Sequence, residues 1–150
     1  MAARYLLASV APRIEVGAVY GGALELIGLD LEPPTLCSGR PATLTLYWRV
    51  LKEPDTRWEV FVHLDGPGVP RIHGDHWPAQ GAYPTSAWRR GEVVRDPVVL
   101  TIPADVQASS LEAWVGLFSG AERMGVSRPG PLGRDGEDRA LAARLPVSCE

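Results

Sequence analysis

The sequence predicts an all-β domain: a two-sheet antiparallel sandwich of seven to nine strands, jelly-roll or immunoglobulin-like. Three observations predict it. Segments of strict two-residue alternation recur along the chain. Fourteen Pro and sixteen Gly in 150 residues break it up at short intervals, as turns do between strands. Helical periodicity is scarce: only "GEDRALAARL", residues 136–145, has helix-forming composition. Even there, alternation equally places Leu141 and Leu145 on one face of a strand.

The elements follow in order. Residues 1–18 read as a lead-in arm or strand, and "MAARYLLASVAPR" within them superficially imitates a signal peptide. "ALELIGLDL" (23–31) is a strand that ends at Pro33-Pro34. "ATLTLYWRV" (42–50) puts Leu44, Leu46, Trp48 and Val50 on one face. "WEVFVHL" (58–64) does the same with Trp58, Val60, Val62 and Leu64. "EVVRDPVVLTI" (92–102) reads as a strand interrupted at Pro97, and "LEAWVGLF" (111–118) supplies Val115 and Leu117 to the core. One or two further strands fall within 13–20 and 139–147, and 128–136 is a surface loop rather than a linker, leaving a single domain over 1–150.

Composition narrows the function. A formal charge of −3 with mixed signs gives no field for nucleic acid or an anionic membrane. No apolar run reaches the roughly 20 residues that cross a bilayer as a helix. The only cysteines are Cys37 and Cys149. The plainer reading is two buried, inert thiols; the alternative is a disulfide pinning the C-terminal tail, which requires an oxidising compartment.

The opposite faces of the same strands are unusual. They hold Thr43, Thr45, Tyr47 and Arg49; Glu59, Phe61 and His63; and Glu112, Trp114 and Phe118. A purely solvated face has no need of four aromatic rings. The plainer reading is that some strands face the core the other way. The other is a half-aromatic outer surface fit for a sugar ring or a protein.

The succession "LELIGLDL", "LTLYWRV", "VFVHLD", Asp75, "GAYPTSAWRRGEVVRDP" and "AWVGLFSG" resembles an extracytoplasmic β-sandwich domain of bacteria. That domain occurs at the C-terminus of multi-spanning membrane glycosyltransferases of the dolichyl-phosphate-mannose mannosyltransferase type, and in related envelope proteins. The similarity covers about residues 19–126, most specifically at His63, Tyr83-Pro84-Thr85, Trp88, Gly91 and Asp96. It implies an accessory domain outside the cytoplasm. The family's transferase chemistry belongs to its membrane portion, so no catalytic residue carries over to this chain. The sequence departs from the pattern before "VGLF", where "ASSLEAW" replaces the usual Gly-Thr-Tyr.

The densest chemistry lies in "HGDHWPAQGAYPTSAWRRGEVVRDP", residues 73–97, which holds two of the three His and two of the five Trp. His73 and Asp75 share a side of an extended strand, His76 follows, and His63 approaches from a neighbour. These four form a candidate zinc set, and with it a metal-dependent hydrolase. A calcium site at Asp75 or Asp96 is comparable. The plainer reading makes Asp75 and Asp96 anchors of the loop. No nucleophile elbow surrounds Thr85 or Ser86, and Asp75 with Glu92 is the one carboxylate pair suggested for glycoside hydrolysis. The balance favours a non-catalytic domain without a cofactor, with a glycan or a protein as partner. For a glycan, Trp77, Tyr83 and Trp88 offer flat faces, and Asp75, Arg89, Arg90 and Asp96 offer hydrogen bonds.

Overall fold

The computed structural model describes residues 2–149. One sheet contains β1 (Leu6–Leu7), β2 (Ile14–Tyr20), β3 (Leu24–Glu32), β4 (Pro41–Val50), β7 (Val93–Thr101) and β10 (Val126–Arg128), in the order β1-β7-β4-β3-β2-β10. The other contains β5 (Glu59–Gly66), β6 (Val69–His73), β8 (Ser110–Ser119) and β11 (Ala140–Pro146), in the order β11-β8-β5-β6. A short β9 (Glu122–Arg123) pairs with β8 as the fifth strand of that sheet. Every ladder between these strands is antiparallel. The succession β3-β4-β7 facing β11-β8-β5-β6 matches the A-B-E and G-F-C-C′ order of immunoglobulin-like sandwiches. The strand count exceeds the sequence expectation because β1, β9 and β10 are two or three residues long, too short to carry a pattern.

The alternation places the core as expected. Leu44, Leu46, Trp48, Val60, Val62, Leu64, Val115 and Leu117 are all fully buried. Tyr20 crosses between sheets: its hydroxyl donates to the Val115 carbonyl at 2.7 Å, and its ring meets Trp48 edge-on. Such a contact ties the layers in a direction that strand hydrogen bonds do not.

Four expectations are corrected. Residues 140–146 form a strand, and a register shift between Leu141 and Ala143 sets Leu141 opposite Trp114 but Leu145 opposite Leu111. The bulge therefore turns the two leucines to opposite faces. β7 runs through Pro97 without a break, because β1 covers only Val93 and Val94 and leaves Pro97 at a free edge. β2 begins at Ile14, so the lead-in is shorter than 1–18; Met1 lies outside the described residues.

The fourth correction is chemical. Cys37 and Cys149 are joined in a disulfide rather than lying as free thiols. The tail runs beside the loop that follows β3: Leu36 N–H donates to the Pro146 carbonyl, and Ser148 N–H to that of Leu36. With a sequence separation of 112 between the cysteines, the bridge contributes about 4–5 kcal/mol in the chain-entropy account. Among the described residues no helix is long and apolar enough to cross a membrane.

Candidate functional site

Extended backbone after β6 divides the 73–97 segment between two sides of the five-stranded sheet. His76 makes an antiparallel bridge with Val60, each N–H donating to the other's carbonyl. Period-two alternation then sends Gly74 and His76 toward the core and His73 and Asp75 outward. Gly74 lets the chain pass close to the core: a Cβ would stand 2.6 Å from Leu100 Cδ2, so the Leu100 side chain would have to shift.

On the inner side, His76 Nε2 lies 3.0 and 2.9 Å from the two oxygens of the buried Asp96. Its Nδ1 lies 2.8 Å from the Gly74 carbonyl. Both ring nitrogens face acceptors, so both must donate and the ring is an imidazolium. Burial pushes its pKa down, but the hydrogen bond and charge of Asp96, then Gly74 and Asp75, outweigh this and hold it above the ordinary value of 6.5. Asp96 also accepts from Trp48 Nε1 at 3.1 Å and from the Ala79 N–H at 3.0 Å. The latter bond holds Ala79, whose φ is +57°, in the left-handed region that non-glycine residues seldom occupy. Asp96 is thus an internal anchor, with no room for calcium or a sugar.

The rest of the loop is similarly braced. Trp88 is fully buried and its Nε1 donates to the Tyr83 carbonyl at 2.9 Å. Tyr83, 8% exposed, donates its hydroxyl to the Ala87 carbonyl and to Glu92. Thr85 Oγ1 donates to the Thr56 carbonyl and accepts the Trp58 N–H, which leaves no free nucleophile there. Two of the three rings expected to offer a platform are therefore unavailable. Trp77 is 44% exposed, but the Arg57 guanidinium lies 5.0 Å above it. Arg89 and Arg90 are exposed in the turn before β7, where Arg89 pairs with Glu53 at 3.6 Å. Glu92 is engaged with Tyr83 and the Arg89 N–H, so its suggested partnership with Asp75 does not form.

The outer side gathers what remains. His63 on β5 is directly opposite His73 on β6, their rings 5.2 Å apart at 80°. One potential ligand atom from each of His63, His73 and Asp75 lies within 4.8 Å of the others. Three of the four expected metal ligands come together, and His76 departs to Asp96. Around them lies the half-aromatic outer surface, overturning the plainer reading that these strands face the core the other way. Phe61 and Phe118 have centroids 6.2 Å apart. Arg123 sits 4.4 Å over Phe61, and Arg139 sits 4.5 Å over Trp114. Gly116 makes space for this: a Cβ there would fall 2.2 Å from the Phe61 ring. Tyr47 is on the other sheet, donating to Asp30 at 2.8 Å.

Arg139, which the sequence reading did not single out, governs the cluster. It is nearly buried, donates through Nε to Asp135 at 2.8 Å, and through Nη1 to Asp65 at 3.3 Å and to His63 Nδ1 at 3.1 Å. A guanidinium has no acceptor, so His63 Nδ1 must present its lone pair and the neutral ring carries its proton on Nε2. Burial, then the charges of Arg71, Arg139, His73 and Arg123, lower the His63 pKa to about 4. A cation bound through Nδ1 displaces Arg139; one bound through Nε2 needs the tautomer that turns a proton toward Arg139. Either way the guanidinium must let go. Arg71 closes the lower edge in a bidentate pair with Asp65 at 2.8 and 3.0 Å. Beside this cluster is a cleft of about 270 Å³ walled by Phe61, His63, Asp75, Phe118, Gly120, Ala121 and Arg123.

No protein-family model matches the chain, and no curated protein matches it in sequence.

Proposed function

We propose that this domain is a non-catalytic recognition module of the bacterial envelope that binds carbohydrate on the outer face of its five-stranded sheet. The observation that carries this is the cleft at His63. The half-buried Phe118 ring, an imidazole N–H, a guanidinium and a free carboxylate meet there on or beside rigid strands. Sugar rings have apolar C–H faces for aromatic walls, and hydroxyls that both donate and accept. The cleft is smaller than the roughly 300 Å³ at which pockets for drug-sized ligands begin, which suits one ring of a glycan. The disulfide supports residence in an oxidising compartment, in line with the envelope domain that the sequence resembles.

The site differs from the one the sequence suggests. Tyr83, Trp88 and Asp96 serve the fold, and of the loop candidates only Asp75 reaches the cleft. A glycan array followed by calorimetric titration tests the proposal. Binding lost on Asp75→Ala, with an unchanged melting temperature, is the expected result; no binding by any glycan overturns it.

The competing reading is a zinc-dependent hydrolase at His63, His73 and Asp75, favoured by the convergence of their ligand atoms. It has lost His76, and Arg139 opposes it. Elemental analysis separates the two: stoichiometric zinc that disappears in His73→Ala supports the hydrolase.

A further inference from the structure

We infer that the cleft selects acidic over neutral sugars, holding the carboxylate of a hexuronic acid residue between His63 Nε2 and Arg123 while Asp75 accepts from ring hydroxyls. This rests on the carbohydrate reading above and specifies the ligand class at the same cleft.

The argument begins with the tautomer. Arg139 occupies His63 Nδ1, so the nitrogen left to the cleft is the protonated Nε2. That nitrogen has no hydrogen-bond partner among the described residues. His63 is only 4% exposed, but no fully buried side-chain nitrogen or oxygen among the described residues lacks a partner, so Nε2 keeps a small part of its surface toward the cleft that His63 lines. What resembles a metal ligand is therefore a fixed donor aimed outward.

The second step is charge. Arg71, Arg123 and Arg139 surround the ring, and the electrostatic groups acting on His63 all disfavour its protonation. Arg71 and Arg139 are engaged with Asp65 and Asp135, which leaves Arg123 as the guanidinium able to take a ligand anion. Arg123 has donors to spare: Nη1 donates to the Glu137 carbonyl at 2.7 Å, while the Glu137 carboxylate stands 4.0 Å away. The rest of its planar fork matches a carboxylate.

The third step is polarity across the cleft. Asp75 is the single carboxylate in the wall, it is exposed, and it makes no hydrogen bond to the protein among the described residues. It would repel a ligand that is anionic throughout, such as a phosphate or sulfate. A uronic acid carries one carboxylate on a ring otherwise furnished with hydroxyls, and so offers an anion to one pole and donors to the other. The half-buried Phe118 is the ring left to face its C–H surfaces, Phe61 being buried beneath Arg123.

The test compares tri-galacturonic acid with its methyl ester, which keeps every hydroxyl and removes the charge. Calorimetry on the full chain is expected to give at least roughly tenfold weaker binding of the ester, the loss of one charge-assisted contact. Arg123→Gln is expected to abolish the difference between acid and ester while the protein remains folded, as checked by its cooperative melting. Asp75→Asn is expected to weaken acid and ester together. Equal binding of acid and ester, unaffected by Arg123→Gln, overturns this inference and leaves the carbohydrate reading standing. No binding of any sugar overturns both. Stoichiometric zinc lost in His73→Ala, or binding of a glutamate-rich peptide in place of the uronate, also overturns it.

Discussion

His63 and His76 flank the same sheet and are in opposite chemical states. His76 faces the core side and meets only acceptors, the Asp96 carboxylate and the Gly74 carbonyl, so it is held as a cation. His63 faces outward and meets the donor Arg139 among three guanidiniums, so it is held neutral. One ring is a structural latch; the other, itself nearly buried, keeps one donor nitrogen for the cleft. The residue type is uninformative by itself; its partners' hydrogen-bonding capacity assigns the role.

The sharpest way to break the comparison is to remove the acceptors on the inner side. Asp96→Ala leaves a buried imidazolium, the Trp48 Nε1–H and the Ala79 N–H without their partner. Loss of one member of a buried charged pair costs about 3–5 kcal/mol. Urea denaturation is expected to show a loss of that order; a change below about 1 kcal/mol shows that Asp96 is no anchor.

Next in size is the effect of pH, where the two histidines act with opposite sign. The His76 pKa is raised in the folded state, so its contribution is complete below the ordinary value of 6.5 and drains away as pH rises through the folded pKa. His63 is lowered to about 4. Between 6.5 and about 4 the unfolded chain takes up a proton at this ring that the folded chain refuses, so stability falls as pH falls through that window. The expected profile of melting temperature against pH is a dome centred near 6.5. His76→Gln is expected to flatten its alkaline limb and His63→Gln its acid limb. A limb that persists in its own variant breaks the assignment.

Much of this was legible in the sequence, for a definite reason. Alternation in 42–50, 58–64 and 111–118 fixes which side chains face inward, and Leu44, Val62 and Leu117 are buried accordingly. The same rule brings His73 and Asp75 together, since residues two apart in extended chain share a side. What stayed hidden depends on where a segment returns in space. Trp88 in a Pro-rich loop reads identically whether it folds inward or projects, and its burial is settled by the Tyr83 carbonyl that receives its N–H. The bulge separating Leu141 from Leu145 and the pairing of cysteines 112 residues apart are likewise nonlocal. Arg139 was missed because it sits inside the one stretch with helix-forming composition, residues 136–145. A lone Arg there gives no sign that it meets His63 from β5.

The smallest expected effect is the most discriminating, because it sets two neighbouring histidines against each other. His73 is exposed and donates to no protein group among the described residues, whereas His76 is pinned at both nitrogens. Substitutions at exposed positions without special contacts stay within about 0.5 kcal/mol. His73→Ala is therefore expected to leave the urea midpoint nearly unchanged, while His76→Ala strips the anchor from Asp96 and shifts it clearly. His73 is one of the charges depressing His63, so its removal is also expected to raise the His63 pKa slightly, measured by NMR titration of the ring protons. If His73→Ala instead destabilises the fold as much as His76→Ala does, the outer histidines are structural and the open cleft loses its claim to a ligand. A stable His73→Ala protein with a shifted His63 titration keeps that face free for binding.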